Sequence, residues 1–331
     1  MIAAGETSLP RVLVTGAGGF IGRHLTRALL ERGNPTTALD PHLPPAAEGL
    51  RGIAASVADG GARVEALESI DTVFHLAACH LGVRTPPEAF ERINVKAAAA
   101  LARESAAAGV RRFVHCSSVG VYGRITDPPA DEDTPCHPNL VYERSKLAGE
   151  QAVLAAASET GLDTVVLRPV WVYGPGCPRT EKLFRAIGRG RFIVAGNGRS
   201  QRHCIYIRDM VEAFLLAARA DAAVGKTIIV GDAAAVSIRQ LVDEIARLTG
   251  ARPPLRVPLA ALHAVALMAE IAFKPLGTEP PISRRTLEFF TSNTSFRIDR
   301  ARELLGFEPR FDLAAGLAET HAALYAEKGS A

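Results

Sequence analysis

Val12-Leu13-Val14-Thr15-Gly16-Ala17-Gly18-Gly19-Phe20-Ile21-Gly22 sets the architecture of this chain: a short apolar run enters a glycine-rich turn and leaves it as a helical pattern. A strand, a tight turn and a helix N-terminus in that order form a site for the phosphates of a dinucleotide. Gly16 permits the turn, Gly19 lets the backbone approach a pyrophosphate, and Gly22 lets the new helix pack against the sheet. A second apolar run, Thr36-Thr37-Ala38-Leu39, ends in Asp40. That is close to the distance of about 20 residues beyond the glycines at which an acid meets the adenosine ribose. A carboxylate there accepts hydrogen bonds from both ribose hydroxyls and repels a 2′-phosphate. Pro41 and His42 follow rather than an arginine, so NAD is expected over NADP.

Further apolar runs at Thr72–Leu76, Arg112–Cys116, Thr164–Leu167 and Thr227–Val230 alternate with Ala- and Leu-rich helical stretches. Such alternation predicts an α/β fold, a doubly wound parallel sheet of Rossmann type with helices on both faces. Pro128-Pro129 and Cys136-His137-Pro138-Asn139 mark a loop over the carboxyl ends of the strands, where ligands bind in such sheets. The alternation fades from Pro175 onward. We therefore expect a nucleotide-binding domain over 8–174, with 205–232 returning to it, and a smaller interleaved substrate part made of 175–204 and 233–328.

At 331 residues the chain can bury a large core. Its 38 basic and 35 acidic residues form no block and sum to +3, which gives no electrostatic case for nucleic acid. Five cysteines without a C-x-x-C pair suggest neither a disulfide framework nor a metal site, and Met1–Pro10 has no basic region followed by an apolar core. A cytoplasmic protein is expected. Leu255–Phe273 is the one stretch resembling a membrane element, but Arg256, His263 and Glu270 interrupt it. It reads as an amphipathic core helix, and no stable membrane insertion is expected.

Tyr142-Glu143-Arg144-Ser145-Lys146 sets a tyrosine and a lysine at i and i+4 on one helix face. An ammonium about 4 Å from a phenol favours phenolate by about 4 kcal/mol at an effective dielectric near 20, roughly 3 pKa units. The phenol could then exchange a proton with a substrate hydroxyl near neutral pH. Ser118, after the Arg112–Cys116 run, offers a hydroxyl beside the cofactor; Ser117 is the alternative.

With these pieces in hand, the chain resembles the extended short-chain dehydrogenases/reductases of the NAD-dependent epimerase/dehydratase family. The resemblance covers nearly the whole length. It rests on Thr15–Gly22, Phe74-His75-Leu76-Ala77-Ala78, Asn94, Ser117-Ser118, Tyr142 and Lys146 with Glu150, Arg168-Pro169 and Tyr173-Gly174-Pro175. It implies a catalytic set of Ser118, Tyr142 and Lys146, with Asn94 supporting the central helix and a proton path; read alone, Asn94 would be a helix cap. It also implies cofactor contacts from Phe20, Ile21, Leu76, Ala77, Ala78, Pro169 and Val172, with Lys146 touching the nicotinamide ribose, and a homodimer through the helices near Asn94 and Tyr142. The family's Gly-Asp after the third strand is replaced by Ala55-Ser56, so Ser56, with Val57 behind it, stands in for the adenine contact.

Fold alone does not choose the reaction. Val119 and Gly120 occupy the positions where a dehydratase would carry an Asp-Glu pair, which argues against dehydration. Gly196–Asp209 is similar to a segment of sugar-nucleotide enzymes in which an arginine, here Arg202, grips the diphosphate; Arg179 is a further anion contact. The expected activity is therefore a 4-epimerase acting on a nucleoside diphosphate sugar. Pro280–Arg285 and Ala301–Pro309 instead resemble the 3β-hydroxysteroid dehydrogenase-like branch, whose members oxidise apolar secondary alcohols. A non-catalytic NAD-binding regulator is the third alternative.

Overall fold

The computed structural model describes residues 10–80, 85–273 and 284–326. Strands β1 (Val12–Thr15), β2 (Thr36–Leu39), β3 (Leu50–Ile53), β4 (Thr72–His75), β5 (Arg112–Cys116), β6 (Thr164–Pro169) and β11 (Thr227–Val230) form one seven-stranded sheet in the order β11-β6-β5-β4-β1-β2-β3, every neighbouring pair parallel. β3 is not among the six expected runs: Arg51 and Gly52 break its apolar pattern, and it lies on the edge, where both are exposed. The chain builds outward from β1 through β2 and β3, then restarts at β4 on the other side of β1. The crevice between those two directions is the switch point at which open α/β sheets bind ligands.

Helices α1 (Phe20–Glu31), α2 (Gly60–Ala66), α3 (Pro87–Phe90), α4 (Ala98–Ala107), α5 (Val141–Thr160), α6 (Pro178–Gly188), α7 (Ile207–Arg219) and α8 (Ile238–Thr249) follow in chain order, with a π-helical turn over Glu91–Ala97 joining α3 to α4. Side chains of a strand alternate between faces, and β1 divides accordingly. Val12 and Val14 enter a core with Leu25 and Leu29 of α1 and Met210 and Phe214 of α7, while Leu13 enters one with Leu101 of α4 and Val153 of α5.

The rest of the chain forms three short strand pairs: β7 (Trp171–Tyr173) with β10 (Cys204–Tyr206), β8 (Ile193–Ala195) with β13 (Leu255–Val257), and β9 (Gln201–Arg202) with β12 (Val236–Ser237). A third core of Tyr173, Phe184, Tyr206, Ile238, Leu241 and Leu317 holds them to α6, α8 and α12 (Leu313–Ala326). Between these lie α9 (Leu259–Phe273), α10 (Arg284–Thr291) and α11 (Asp299–Leu305).

Leu255–Phe273 departs from expectation. It is a strand followed by a helix, and α9 is no amphipathic core helix: Leu262 and Ala266 are buried, but Val265, Leu267, Met268 and Ile271 are exposed. Its alanines and leucines run all round the helix, so periodicity alone could not say which face would find a partner. Among the described residues no helix is long and apolar enough to cross a membrane.

Candidate active site

The glycine turn closes on itself through backbone contacts that exclude side chains. Gly16 has φ +73°, and a Cβ there would lie 2.6 Å from the Ala77 nitrogen; a Cβ on Gly22 would lie 2.0 Å from the Gly16 carbonyl oxygen. Gly18 is equally constrained, since a Cβ on it would lie 1.7 Å from the His42 oxygen, a requirement set by a loop more than twenty positions away and not visible in the motif. Gly19, the N-cap of α1, is exposed and its Cβ would meet only the Gly16 oxygen, at 3.2 Å. The first amide groups of α1 therefore face an open floor.

Beside that floor is a cleft of about 180 Å³ lined by Gly16, Gly19, Asp40, Ser56, Val57, Leu76, Ala77, Ala78 and His80, with Leu39, Pro41 and Ile93 completing the wall. Asp40 Oδ1 accepts the His42 amide at 2.7 Å, which fixes the carboxylate at the end of β2. Ser56 Oγ accepts the Ala58 amide at 3.2 Å. A glycine floor, a helix N-terminus and an oriented carboxylate suit the adenosine diphosphate half of a dinucleotide, and the carboxylate opposes a 2′-phosphate. Phe20 and Ile21 pack against the third core, and Gly22 is buried inside the turn. Pro169 is buried at the end of β6 and Val172 is half-buried in β7; neither lines this cleft.

Tyr142 enters at the first turn of α5, where Glu143 Oε2 accepts the Asn139 and Leu140 amides at 3.0 Å each. One turn on, Lys146 is buried and its Nζ donates to the Cys116 carbonyl at 2.6 Å, at the end of β5. Ser118 follows in extended backbone, its Oγ accepting the Gly120 amide at 3.0 Å, while the Ser117 hydroxyl is buried. The spacing predicts a lowered Tyr142 pKa; burial raises it instead, opposed by the Arg179 guanidinium. Burial also lowers the Lys146 pKa. The spacing argument places an ammonium against a phenol at an effective dielectric near 20; here desolvation acts on both groups, and one Lys146 N–H donates to the Cys116 carbonyl.

Asn94 is not a cap. It sits inside the π-helical turn, a form frequent at functional sites, where Oδ1 accepts the Cys79 amide at 2.6 Å and Nδ2 donates to the Cys79 oxygen at 3.1 Å and to Ser145 Oγ at 2.8 Å. Ser145 in turn donates to the Tyr142 carbonyl at 2.7 Å, so Asn94 ties the β4 exit to the first turn of α5. Glu150 and Arg168 form a buried ion pair, with oxygen–nitrogen distances of 2.5 and 3.0 Å, and Arg168 also donates to Tyr122 Oη at 2.7 Å. His80 was not anticipated. Its ring stacks on Tyr142 with centroids 5.3 Å apart at 28°, and its only signal in the sequence was its place two residues beyond the Phe74–Ala78 run.

Of the two arginines expected at the substrate, Arg179 is exposed at the start of α6, close enough to act on both Tyr142 and His80. Arg202 is engaged with the chain itself. It donates to the Phe289 carbonyl at 2.5 Å and to Ser292 Oγ and Thr294 Oγ1 at 3.1 Å each, and its guanidinium lies 4.7 Å over the Phe289 ring. Phe289 also packs edge-on against Trp171, with centroids 6.3 Å apart.

A sequence profile of the NAD-dependent epimerase/dehydratase family matches residues 12–231, about two thirds of the chain. The chain belongs to this family. Like the family, it is an NAD-dependent enzyme of the extended short-chain dehydrogenase/reductase type. Within the family it is similar to a UDP-glucose 4-epimerase of Mycolicibacterium smegmatis, at 33% identity over 94% of this chain and 97% of the relative. It is also similar to a 3-beta-hydroxysteroid dehydrogenase of Mycolicibacterium neoaurum, at 29% identity over 95% and 91%. Among solved structures, MoeE5 in complex with UDP-glucuronic acid and NAD superposes with a TM-score of 0.78 at 32% identity, over 96% of this chain and 99% of that one.

Proposed function

We propose that this enzyme interconverts a secondary alcohol and its ketone through Tyr142, Lys146 and Ser118, and that the alcohol is apolar. NAD, when bound, supplies the hydride acceptor or donor. Tyr142 Oη gives its proton to the ketone oxygen or takes one from the alcohol. Ser118 Oγ holds that same oxygen, and Lys146, with Asn94 behind Ser145, holds the first turn of α5 and would bind the nicotinamide ribose. Asp40 would bind the adenosine ribose, and Ser56 and Val57 the adenine. Burial raises the Tyr142 pKa, so near neutral pH the resting group is the phenol, the form that donates to a ketone oxygen.

The observation that carries the apolar substrate is Arg202. A diphosphate grip needs its N–H groups turned toward the ligand, and here three bonds from them go to the Phe289 carbonyl and two hydroxyls, with the guanidinium over the Phe289 ring. Trp171, Phe289 and Phe290 form an aromatic cluster around it.

The second reading, a nucleoside diphosphate sugar 4-epimerase, is favoured by exposed Arg179 acting on Tyr142 and by the epimerase relatives. The deciding experiment is the melting temperature of NAD-loaded protein with UDP, dTDP or GDP, beside NADH absorbance with a hydroxysteroid, since a ligand of the native state stabilises it by mass action. NADH formation without a nucleotide shift supports the apolar reading. A shift with one nucleotide and sugar inversion without net NADH would replace it by the epimerase. A homodimer through α4 and α5 and a cytoplasmic setting belong to the same proposal.

A further inference from the structure

Helix α9 presents the wrong face to solvent. Its residues turn by about 100° each, so Leu262 and Ala266, one turn apart, lie on one narrow stripe, buried against Ala195 of β8 and Leu287 of α10. Opposite that stripe runs a continuous exposed arc of Ala264, Val265 (42% exposed), Leu267 (47%), Met268 (62%) and Ile271 (65%), with His263 at its edge. A surface helix ordinarily carries charged residues there; this arc carries no Asp, Glu, Lys or Arg.

The charges nearby are placed unevenly. Between Gly250 and Phe273 the charged residues are Arg252, Arg256 and Glu270. Both arginines are exposed on the lead-in to the helix, around Leu255 at 75% exposure, whereas Glu270 is half-buried on the inward side. Along this stretch of chain, then, the exposed helix arc is apolar and the exposed lead-in to it is cationic.

We propose that α9 and the Arg252–Arg256 lead-in form a docking surface for an anionic lipid bilayer, with the helix lying in the interface. Fifteen residues span about 22 Å, short of the roughly 30 Å hydrocarbon core, so the helix lies on the bilayer and does not cross it. Its apolar arc enters the headgroup boundary and its arginines meet the acidic headgroups. A second copy of the chain fits the patch less well. A lone helix of this length offers a strip on the order of 200–300 Å², against about 800 Å² per partner in a stable interface. The assignment rests on α9 alone and stands whichever substrate the active site takes.

The test is flotation of the NAD-loaded full chain with phosphatidylcholine vesicles, with and without phosphatidylglycerol, beside its mass in solution by light scattering. The wild type should float with the anionic vesicles. Leu267→Glu and Met268→Glu, both on side chains in solvent, should each weaken binding on the order of tenfold, and Arg252→Gln and Arg256→Gln about fivefold each, with the melting temperature and NADH affinity unchanged. Equal binding by the glutamate variants would overturn the proposal. So would a wild type that ignores vesicles, and a solution mass halved by Met268→Glu would then assign the face to a second copy instead.

Discussion

Burial raises the pKa of Tyr142, itself half-buried at the start of α5, so the phenol ionises only on the alkaline side. Alcohol oxidation needs the phenolate, so its rate should climb as pH rises on the alkaline side, while ketone reduction should fall over the same range. Initial rates in both directions across that range check the sign; a flat oxidation profile would remove Tyr142 as the proton acceptor. Tyr142→Phe should lower turnover by about 10²–10⁴ and leave NADH binding, followed by fluorescence, intact. Asp40 acts on the other half of the cofactor. Asp40→Ala removes charge-assisted hydrogen bonds of about 1.5–3 kcal/mol, so NAD affinity should fall at least tenfold while NADP, relieved of repulsion, gains relative to it. Calorimetric titration of both cofactors reads the two effects separately.

The element that organises the site is the π-helical turn between α3 and α4. Its extra residue per turn brings the Asn94 carbonyl against α5 so closely that a Cβ on Gly149 would stand 2.0 Å from that oxygen. Gly149→Ala must therefore push α5 away from the turn. Overpacking of this kind costs about 1–3 kcal/mol. We expect a lower urea midpoint together with a fall in kcat, because Tyr142 and Lys146 ride on the same helix. Gly161→Ala at the C-terminus of α5, where no atom lies within 4 Å of the added Cβ but φ is +75°, should lower the midpoint through backbone strain alone and leave kcat unchanged.

Across the whole molecule, the centre of the sheet stores an acid sensitivity. The rings of His75 and His115 lie 5.3 Å apart inside it, tilted by 30°, and burial beside the Lys146 ammonium lowers the His75 pKa to about 3 and the His115 pKa well below its usual value. Unfolded histidines take up a proton near 6.5. For His75, between about 6.5 and 3 the unfolded chain thus binds more protons than the native one, and stability falls as pH falls by about 1.4 kcal/mol per unit, with His115 acting in the same direction. Asp232 acts in the opposite sense. Burial and the nearby Asp209 raise it to about 8, so its contribution falls as pH rises from about 4 to 8. Comparing wild type with His75→Gln cancels Asp232: the stability difference should shift toward the variant by about 1.4 kcal/mol per unit below pH 6.5. Urea midpoints at a series of pH values measure it, and parallel curves would place the His75 proton elsewhere.

Local chemistry was enough to read much of this protein. The glycine turn, Asp40 at the end of β2 and the alternation of runs each follow from neighbours within a few residues, so the parallel sheet and the dinucleotide cleft were legible from sequence. So was the placing of Tyr142 and Lys146 one turn apart on α5, through their i to i+4 spacing. What depended on distant segments was not. Gly18 is constrained by His42, Asn94 by Cys79 and Ser145, and the guanidinium of Arg202 by a segment ninety positions on. The state of Tyr142 was decided by burial, which the i to i+4 spacing does not contain. The same holds for α9. An apolar helix has no preferred face in sequence, and only the packing of Leu262 and Ala266 on β8 and α10 left the other side to solvent.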